Sequence, residues 1–305
     1  MVGEMPGVTI DEARQFTDAA RAEIDMVFQF EHVQLDQGVN KWDYTGFDVR
    51  DLKASFGRWQ AGMAEVGWNS LYWNNHDQPR VVSRYGDDGE YRLRSAKMLV
   101  TVLHMHRGTP YIFQGEELGM TNAPLETLSE FRDIESLNQY TAVTTTGLAT
   151  PDEALRALRL MSRDNARTPM QWDAGQWAGF STVPPWIQVN PNYTEINAAS
   201  AMADPNSVFH HYRKLIELRH TEPAVVHGSF HMLLPHDERI YAFLRRLSNV
   251  ELLVLGNFSS ADAVVDLPDA AEWASAELLL GTPPEPDDDG TLVLHPWEGR
   301  VYRRT

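Results

Sequence analysis

Acidic and polar side chains stand directly after short apolar runs in this 305-residue sequence. Glu4 lies near the start, and the segments Asn74–Asp77 and Gln114–Glu117 each follow an apolar run. Hydrogen-bond donors beside Asp77 favour an ionised carboxylate, and Glu4 suits the role of a proton donor if partial burial and neighbouring carboxylates disfavour its charged form. One protonated and one ionised carboxylate can divide the work of acid catalysis and charge stabilisation between them.

The elements that carry these segments alternate between strand and helix. Three apolar runs predict strands, at Ile24–Phe30, Trp68–Trp73 and Thr109–Phe113. Three segments with apolar residues at helical spacing predict helices, at Asp48–Val66, Tyr91–His106 and Asn206–Arg219. A long insert before the third helix is predicted to be rich in loops. Because sites in parallel β/α sheets and barrels lie at the carboxyl ends of strands, the polar segments are expected to meet.

From about Glu222 onward the pattern changes to short alternating runs separated by Gly, Pro and Asp, including a predicted turn at 284–290. These runs predict a small antiparallel β-sandwich of ordinary domain size. The preceding residues hold three strand–helix pairs and a strand stub at 2–4. A complete (β/α)8 barrel needs eight pairs and about 250 residues, so we expect an α/β fold with about half a TIM barrel.

Composition narrows the class of protein. Lys and Arg number 26 against 43 Asp and Glu, a net charge of −17 that makes nucleic acid an improbable partner. The absence of cysteine excludes disulfides, thiolate metal sites and a cysteine nucleophile. The apolar runs are shorter than the roughly 20 residues of a membrane helix. We therefore expect a soluble, cytoplasmic protein that does not bind membranes.

Several familiar signatures of phosphoryl transfer, hydride transfer, metal binding and serine catalysis are missing. The sequence has no phosphate loop, no Gly-x-Gly-x-x-Gly, no His-Glu-x-x-His and no Gly-x-Ser-x-Gly motif. His104 and His106 stand two residues apart on a predicted helix, so they point about 200° apart and cannot bind one metal ion together. One of them is expected on the surface and the other in the core. We expect neither a cofactor nor a metal.

Four segments together resemble the oligo-1,6-glucosidase and α-glucosidase group of the α-amylase family: Val2–Gly7, Asn74–Arg80, Gln114–Glu117 and Ser162–Trp172. Their order is that of the family, and the resemblance covers almost the whole chain. It implies the C-terminal portion of the family fold, with residues 1–221 as a partial barrel from a strand-five stub to helix eight and residues 222–305 as the sandwich. The implied activity is retaining hydrolysis of short α-glucosides, with α-1,6 linkages favoured.

The resemblance also implies roles for individual residues. Glu4 matches the general acid/base at the end of strand five, and Asp77 matches the carboxylate that stabilises the transition state after strand seven. His76 and Arg163 match residues that contact the sugar, and Glu135 matches more loosely a residue near the outgoing sugar. Retaining hydrolysis needs two carboxyl groups about 5–5.5 Å apart, one to protonate the leaving oxygen and one to attack the anomeric carbon.

Each of these residues also has a plain structural interpretation. Glu4 taken alone is an ordinary solvated carboxylate, and His76 with Asp77 could form a turn that caps a strand. Arg163 could pair with a neighbouring aspartate, and Arg167 is interpreted as structural.

The nucleophile of the family lies in an Arg-x-Asp motif on strand four, and this sequence has no such motif. We therefore expect the chain alone to be inactive, and we expect its unpaired barrel edges to make it associate with itself. A false start in a split or incompletely read gene would explain the truncation, with the missing N-terminal half as partner beside a small oligosaccharide substrate. Two other functions stay open: a sucrose-isomerising transglucosidase and a non-catalytic carbohydrate-binding remnant.

Overall fold

The computed structural model describes residues 1–281 and 291–305, so the turn predicted at 284–290 lies outside the described residues. The strands, β1 to β11 in chain order, are Val2–Glu4, Met26–Phe28, Ser70–Leu71, Thr109–Pro110, Ser229–Leu233, Ile240–Leu247, Val250–Asn257, Ala263–Val264, Glu277–Leu280, Val293–Leu294 and Gly299–Arg304. The α-helices, α1 to α11, are Ile10–Thr17, Val49–Gly62, Val81–Tyr85, Arg92–His104, Ile134–Thr145, Pro151–Met161, Asp164–Arg167, Ala198–Ala203, Val208–Thr221, Pro223–His227 and Ala270–Ala274.

The first four strands run parallel and follow chain order. β1 pairs with β2 and β3 pairs with β4, and a parallel bridge joins Val27 of β2 to Asn69 beside β3. The three predicted strands are present but shorter than their apolar runs. In the run that contains β3, for example, Trp73 lies past the ladder in the core, where its indole donates to the Leu99 carbonyl at 2.9 Å. Parallel pairing brings the carboxyl ends of all four strands to one edge.

The three predicted helices are confirmed as α2, α4 and α9, with ends that differ by a few residues. Asp48 caps α2 by accepting from the amide of Arg50 at 2.8 Å. The prediction of a loop-rich insert is wrong in part, because the insert contains the helices α5 and α6. Thr150 and Glu153 form a capping box at the start of α6, which has Pro151 as its first residue.

The C-terminal strands form two antiparallel sheets, one of five strands in the order β5-β6-β7-β11-β9 and one of the pair β8-β10. Alternate residues of β6 face opposite sides of the larger sheet. Ile240, Ala242 and Leu244 pack with the small sheet and with Trp273. The intervening residues Tyr241 and Phe243 pack toward the helices. The antiparallel arrangement predicted for the end of the chain is therefore confirmed in its described part.

One continuous core joins the helical layer to the larger sheet, and two glycines allow the close approach. A Cβ atom on Gly256 of β7 would lie 2.8 Å from Val102 of α4, and one on Gly299 of β11 would lie 3.0 Å from the Cα of Met98. Real Cβ contacts are rarely so short, so larger residues would push the sheet off the helix. The larger sheet thus packs closely against helix α4 and holds it in place.

Lys53 ties helix α2 to the segment between β5 and β6. Its ammonium group, on a side chain that is 1% exposed, donates to the carbonyls of Leu234 at 2.6 Å, Asp237 at 2.6 Å and Ile240 at 3.0 Å. Lys53→Met would leave these carbonyls without their charged donor. We expect it to lower the free energy of unfolding by about 2–4 kcal/mol.

Urea denaturation followed by circular dichroism measures this change. The control is Lys214→Met, at an exposed position of α9, which should change the free energy by less than about 0.5 kcal/mol. Equal effects of the two substitutions would contradict the role of Lys53.

Candidate active site

A cavity of about 260 Å³ opens at the carboxyl ends of the four parallel strands. Glu4, the last residue of β1, and the polar segment Asn74–His76 after β3 contribute its polar lining. The remaining wall is apolar and mostly aromatic, made by Phe28, Phe30, Tyr72, Tyr111, Ile112 and Phe113. A mostly apolar hollow with a few convergent polar groups is typical of a small-molecule site. The structure thus brings Glu4 and His76 to the same cavity.

The aromatic wall is rigidly packed. The ring of Phe28 meets Tyr72 and Tyr111 edge-on, with centroids 5.2 and 4.5 Å apart, and the Tyr72 hydroxyl donates to the Gln29 carbonyl at 2.7 Å. Burial raises the pKa of the Tyr72 phenol, and the nearby charge of Glu4 raises it further. Glu4 itself is exposed, so the described residues do not supply the enclosure expected for a proton donor.

Asp77 lies beside this cavity and is surrounded by cations. Its Oδ1 accepts a hydrogen bond from Nη2 of Arg167 at 2.6 Å, and Nε of Arg163 lies 3.6 Å from the same oxygen. The His76 ring nitrogen Nε2 lies 3.7 Å from it. Two guanidinium groups therefore fix the carboxylate next to a residue that lines the cavity.

Arg163 connects Asp77 to Glu135. Its Nε lies 3.0 Å from Oε2 of Glu135, which stands in the first turn of α5. Lys41 contacts the same carboxylate oxygen. The structure therefore brings together four of the five residues singled out in the sequence, His76, Asp77, Arg163 and Glu135, in one chain of contacts, and Glu4 shares the adjoining cavity with His76.

Arg167 belongs to this cluster, although its sequence context suggested only a structural role. Besides its bond to Asp77, it donates from Nε to the His76 carbonyl at 3.0 Å and from Nη1 to Asp133 at 3.3 Å. Asp133 is 4% exposed and caps helix α5. The signal in the sequence is the four-residue spacing from Arg163, the N-cap of helix α7, to Arg167, the last residue of that helix, which puts both arginines on one side. Nothing comparable in the sequence marked Asp133.

Arg80 holds the loops of the cluster in register. Its side chain is 1% exposed, and it donates to the backbone carbonyls of Gln114 at 2.6 Å, Asn165 at 3.3 Å and Ala166 at 3.1 Å. One buried guanidinium group thus connects the loop after β3, the loop after β4 and helix α7.

Two other acidic residues that follow strands, Glu31 and Glu116, do not line the cavity. Glu31 accepts from the indole of Trp59 at 3.0 Å and contacts Arg58, so it anchors helix α2. Glu116 is buried and accepts a hydrogen bond from the hydroxyl of Tyr212 on α9. Burial raises the pKa of Glu116 from 4.5 to about 8. Their position after a strand therefore does not make them site residues.

The buried Glu116 should make stability depend on pH. The pKa of Glu116 is about 8 in the folded chain, against an ordinary value of 4.5 that applies to the unfolded chain. At a pH between 4.5 and 8, the folded chain therefore keeps a proton that the unfolded chain releases. The contribution of Glu116 to the free energy of unfolding therefore falls as pH rises from about 4.5 to 8. Glu116→Gln removes the titration. Between pH 6 and pH 8.5 we expect the parent chain to lose at least about 3 °C more in Tm than this variant.

Differential scanning calorimetry at the two pH values measures the difference. Glu126→Gln, at an exposed position, is the matched control and should behave like the parent chain. A Glu116→Gln variant with the pH dependence of the parent would overturn the prediction.

The polar groups at this site are carboxylates, guanidinium groups, amides and an imidazole. Across residues 1–281 and 291–305, no group of three or more His, Asp or Glu is arranged to hold a metal ion. Within the same ranges, no helix combines the length and the apolar character needed to cross a membrane.

Comparison with known proteins connects this geometry to a family. Residues 1–228 match the family model described as the α-amylase catalytic domain. The chain is 50% identical to the oligo-1,6-glucosidase of Halalkalibacterium halodurans in an alignment of 306 positions that covers 99% of this chain and 54% of that protein. It therefore spans about half the length of the curated relatives it matches.

Solved structures of glycosidase-related enzymes also match almost the whole chain. The crystal structure of a trehalose-6-phosphate hydrolase from Bacillus licheniformis matches with a TM-score of 0.93 and 43% identity, over 99% of this chain and 55% of that one. An isomaltulose synthase from Klebsiella matches with a TM-score of 0.93 and 39% identity, over the same shares of the two chains.

Proposed function

Since this chain belongs to the α-amylase catalytic-domain family, we propose that it is the C-terminal portion of a retaining glycoside hydrolase for short α-glucosides, of the oligo-1,6-glucosidase or α-glucosidase type. The observation that carries the proposal is the cavity at the ends of the parallel strands. Glu4 and His76 share its wall, and the ion-paired Asp77 lies directly beside it.

In this proposal, strands β1 to β4 correspond to strands five to eight of a (β/α)8 barrel. Residues 1–221 would then be the barrel portion and residues 222–305 the C-terminal β-sandwich domain. The parallel pairing of the strands in chain order supports this assignment, and so does the cavity at their carboxyl ends, where barrel enzymes carry their sites.

In the proposed reaction, Glu4 protonates the leaving oxygen and Asp77 stabilises the positive charge that develops on the sugar ring. Arg163 and Arg167 hold Asp77 in position. His76 binds sugar hydroxyls, and Glu135 lies toward the outgoing sugar. A nucleophilic carboxylate and the wall that encloses Glu4 are then supplied by the other strands of the barrel, which correspond to the part of the relatives that this chain does not cover.

The experiment that tests the proposal compares the chain alone with a joined enzyme. In the joined enzyme, this chain follows the upstream portion of the Halalkalibacterium oligo-1,6-glucosidase that the alignment leaves uncovered. The chain alone should not hydrolyse isomaltose, because its sequence has no Arg-x-Asp motif. The joined enzyme should hydrolyse it. Turnover by the chain alone, or none by a joined enzyme that circular dichroism shows to be folded, would refute the proposal.

The similarity to an isomaltulose synthase supports a second candidate, a sucrose-isomerising transglucosidase. Incubating the joined enzyme with sucrose separates the two. A hydrolase releases free glucose and fructose or leaves sucrose intact, whereas a transglucosidase forms a disaccharide isomer of sucrose. The complete Halalkalibacterium enzyme, assayed in parallel, gives the baseline for the upstream portion.

A further inference from the structure

Arg245 is a buried cation that lacks a counter-charge. It stands on β6, has no solvent exposure, and lies on the side of the sheet that carries Tyr241 and faces the helices. Its Nη2 donates to the Val225 carbonyl at 3.1 Å, whereas its Nε and Nη1 are buried without a hydrogen-bond partner. Burying a charge with unpaired donors is costly unless another group neutralises it.

The charges that act on Arg245 are themselves positive. Burial, followed by the charges of Arg107 and Arg219, lowers its pKa to about 9. Arg107 donates to the Met63 carbonyl at 2.5 Å and lies over the ring of Trp68. In the part of the chain that the structure describes, none of the three arginines has a carboxylate oxygen within 4.0 Å. They form a local positive centre in a chain whose net charge is −17.

A cavity of about 310 Å³ adjoins this centre, between helix α2, the segment after α4 and the start of β5. Arg107 and Arg245 line it together with His227 and Ser229, and the rest of its wall includes Gln60 and Phe230. A water molecule occupies about 30 Å³ in the liquid, so the cavity has room for a polyatomic anion. It shares no lining residue with the cavity that Glu4 and His76 line.

We propose that this cavity binds a phosphate-type oxyanion between the guanidinium groups of Arg245 and Arg107. The planar fork of an arginine matches the oxygen geometry of phosphate, and charge-assisted hydrogen bonds of this kind are the strong ones. The His227 ring provides a further donor, and the Ser229 hydroxyl becomes one by turning away from the Arg246 carbonyl, to which it donates over 3.4 Å. The anion neutralises the buried charge and strengthens the contact between helix α2 and the antiparallel sheet. It is either free phosphate or the phosphate group of a phosphorylated sugar.

Thermal unfolding of the full chain tests the proposal, with sodium phosphate as the probe and sodium chloride at equal ionic strength as the baseline. A ligand that binds only the folded chain raises its Tm in a saturable way. We expect this rise with phosphate and not with chloride. A second titration uses glucose 6-phosphate. A rise with both ligands assigns the site to the phosphoryl group alone, and a rise only with the sugar phosphate assigns it to a phosphorylated sugar.

Arg245→Met gives the decisive comparison. The apparent affinity for the anion should fall at least tenfold, while the Tm in anion-free buffer should stay equal or rise, because an uncompensated buried charge has been removed. The matched control is Arg246→Gln, at the adjacent exposed position of β6, where the arginine pairs with Glu251. It should keep the full response to phosphate.

Two results would overturn the proposal: no shift specific to either phosphate ligand, or an unchanged shift in Arg245→Met. If Arg245→Met fails to fold, Arg107→Gln decides, since Arg107 is only half-buried. That variant should weaken the response at least threefold, and an unchanged response in it would also overturn the proposal.

Discussion

Replacing Asp77 by Asn in the joined enzyme is expected to lower kcat for isomaltose by about 1000-fold. The amide keeps the size of the side chain but loses the negative charge that would face the sugar ring as positive charge develops on it. It also removes the charge that Arg163 and Arg167 share. Because this step is common to all α-glucosides, an aryl α-glucoside should show a loss of similar size.

Steady-state kinetics on both substrates measure the effect. Asp152→Asn, at an exposed position of α6, is the matched control and should retain normal turnover. A variant Asp77→Asn with more than a tenth of the parent activity would show that the ion-paired cluster is structural.

Replacing Glu4 by Gln should give a different pattern, because a general acid matters only when the leaving group needs a proton. For isomaltose, whose leaving group is a sugar hydroxyl, we expect kcat/KM to fall about 1000-fold. For an aryl α-glucoside with an acidic phenol as leaving group, we expect kcat/KM to fall less than about tenfold, since the bond breaks without protonation. The ratio of the two losses identifies the acid and separates its role from that of Asp77.

The control for this prediction is Glu126→Gln in the joined enzyme, which should leave both values of kcat/KM unchanged. Equal losses on the two substrates in Glu4→Gln would contradict the assignment of Glu4 as the acid, even if the variant were nearly inactive.

The parts of the fold that the sequence predicts are those with strong periodicity. Helices α2, α4 and α9 bury a regular apolar stripe, and each was recognisable from it. Helix α5 could not be predicted in this way, because Ser136 is its one fully buried residue and its sequence therefore has no apolar stripe. Helix α6 carries both kinds of signal, the capping pair Thr150 and Glu153 and a buried stripe of Ala154, Leu158 and Met161, so its sequence does predict a helix.

Tertiary packing also changes what a residue's position on a helix implies. His104 is the last residue of α4 and His106 lies two residues past its end, and the expectation that one of them would be exposed is wrong, because both are buried. The helix is covered on two sides. The ring of His104 packs edge-on against Tyr212 of α9 with centroids 5.3 Å apart, whereas His106 stacks on Phe243 of β6 at 4.4 Å. Because the carboxyl end of α4 is enclosed on both sides, the opposite directions of the two rings do not show that either one is exposed.

The site shows the same division between local and long-range information. Glu4, His76 and Asp77 stand in recognisable motifs, so the sequence alone could single them out. The contacts of Arg167 with Asp77 and with Asp133 join residues 90 and 34 positions apart. Their pairing depends on how the loops after β3 and β4 run over the strand ends, which Arg80 fixes from the interior. No local pattern encodes that path.

Proton NMR of the glucose that the joined enzyme releases from the non-reducing unit of isomaltose decides whether the reaction is retaining, because the reducing unit leaves as an equilibrium mixture of anomers and only adds a known background. A double displacement assisted by Glu4 and Asp77 predicts that α-glucose appears first and that either substitution, Glu4→Gln or Asp77→Asn, suppresses its release. Initial β-glucose in excess of the background from the reducing unit, or α-glucose released at the parent rate by both variants, would contradict a retaining reaction assisted by these two carboxylates.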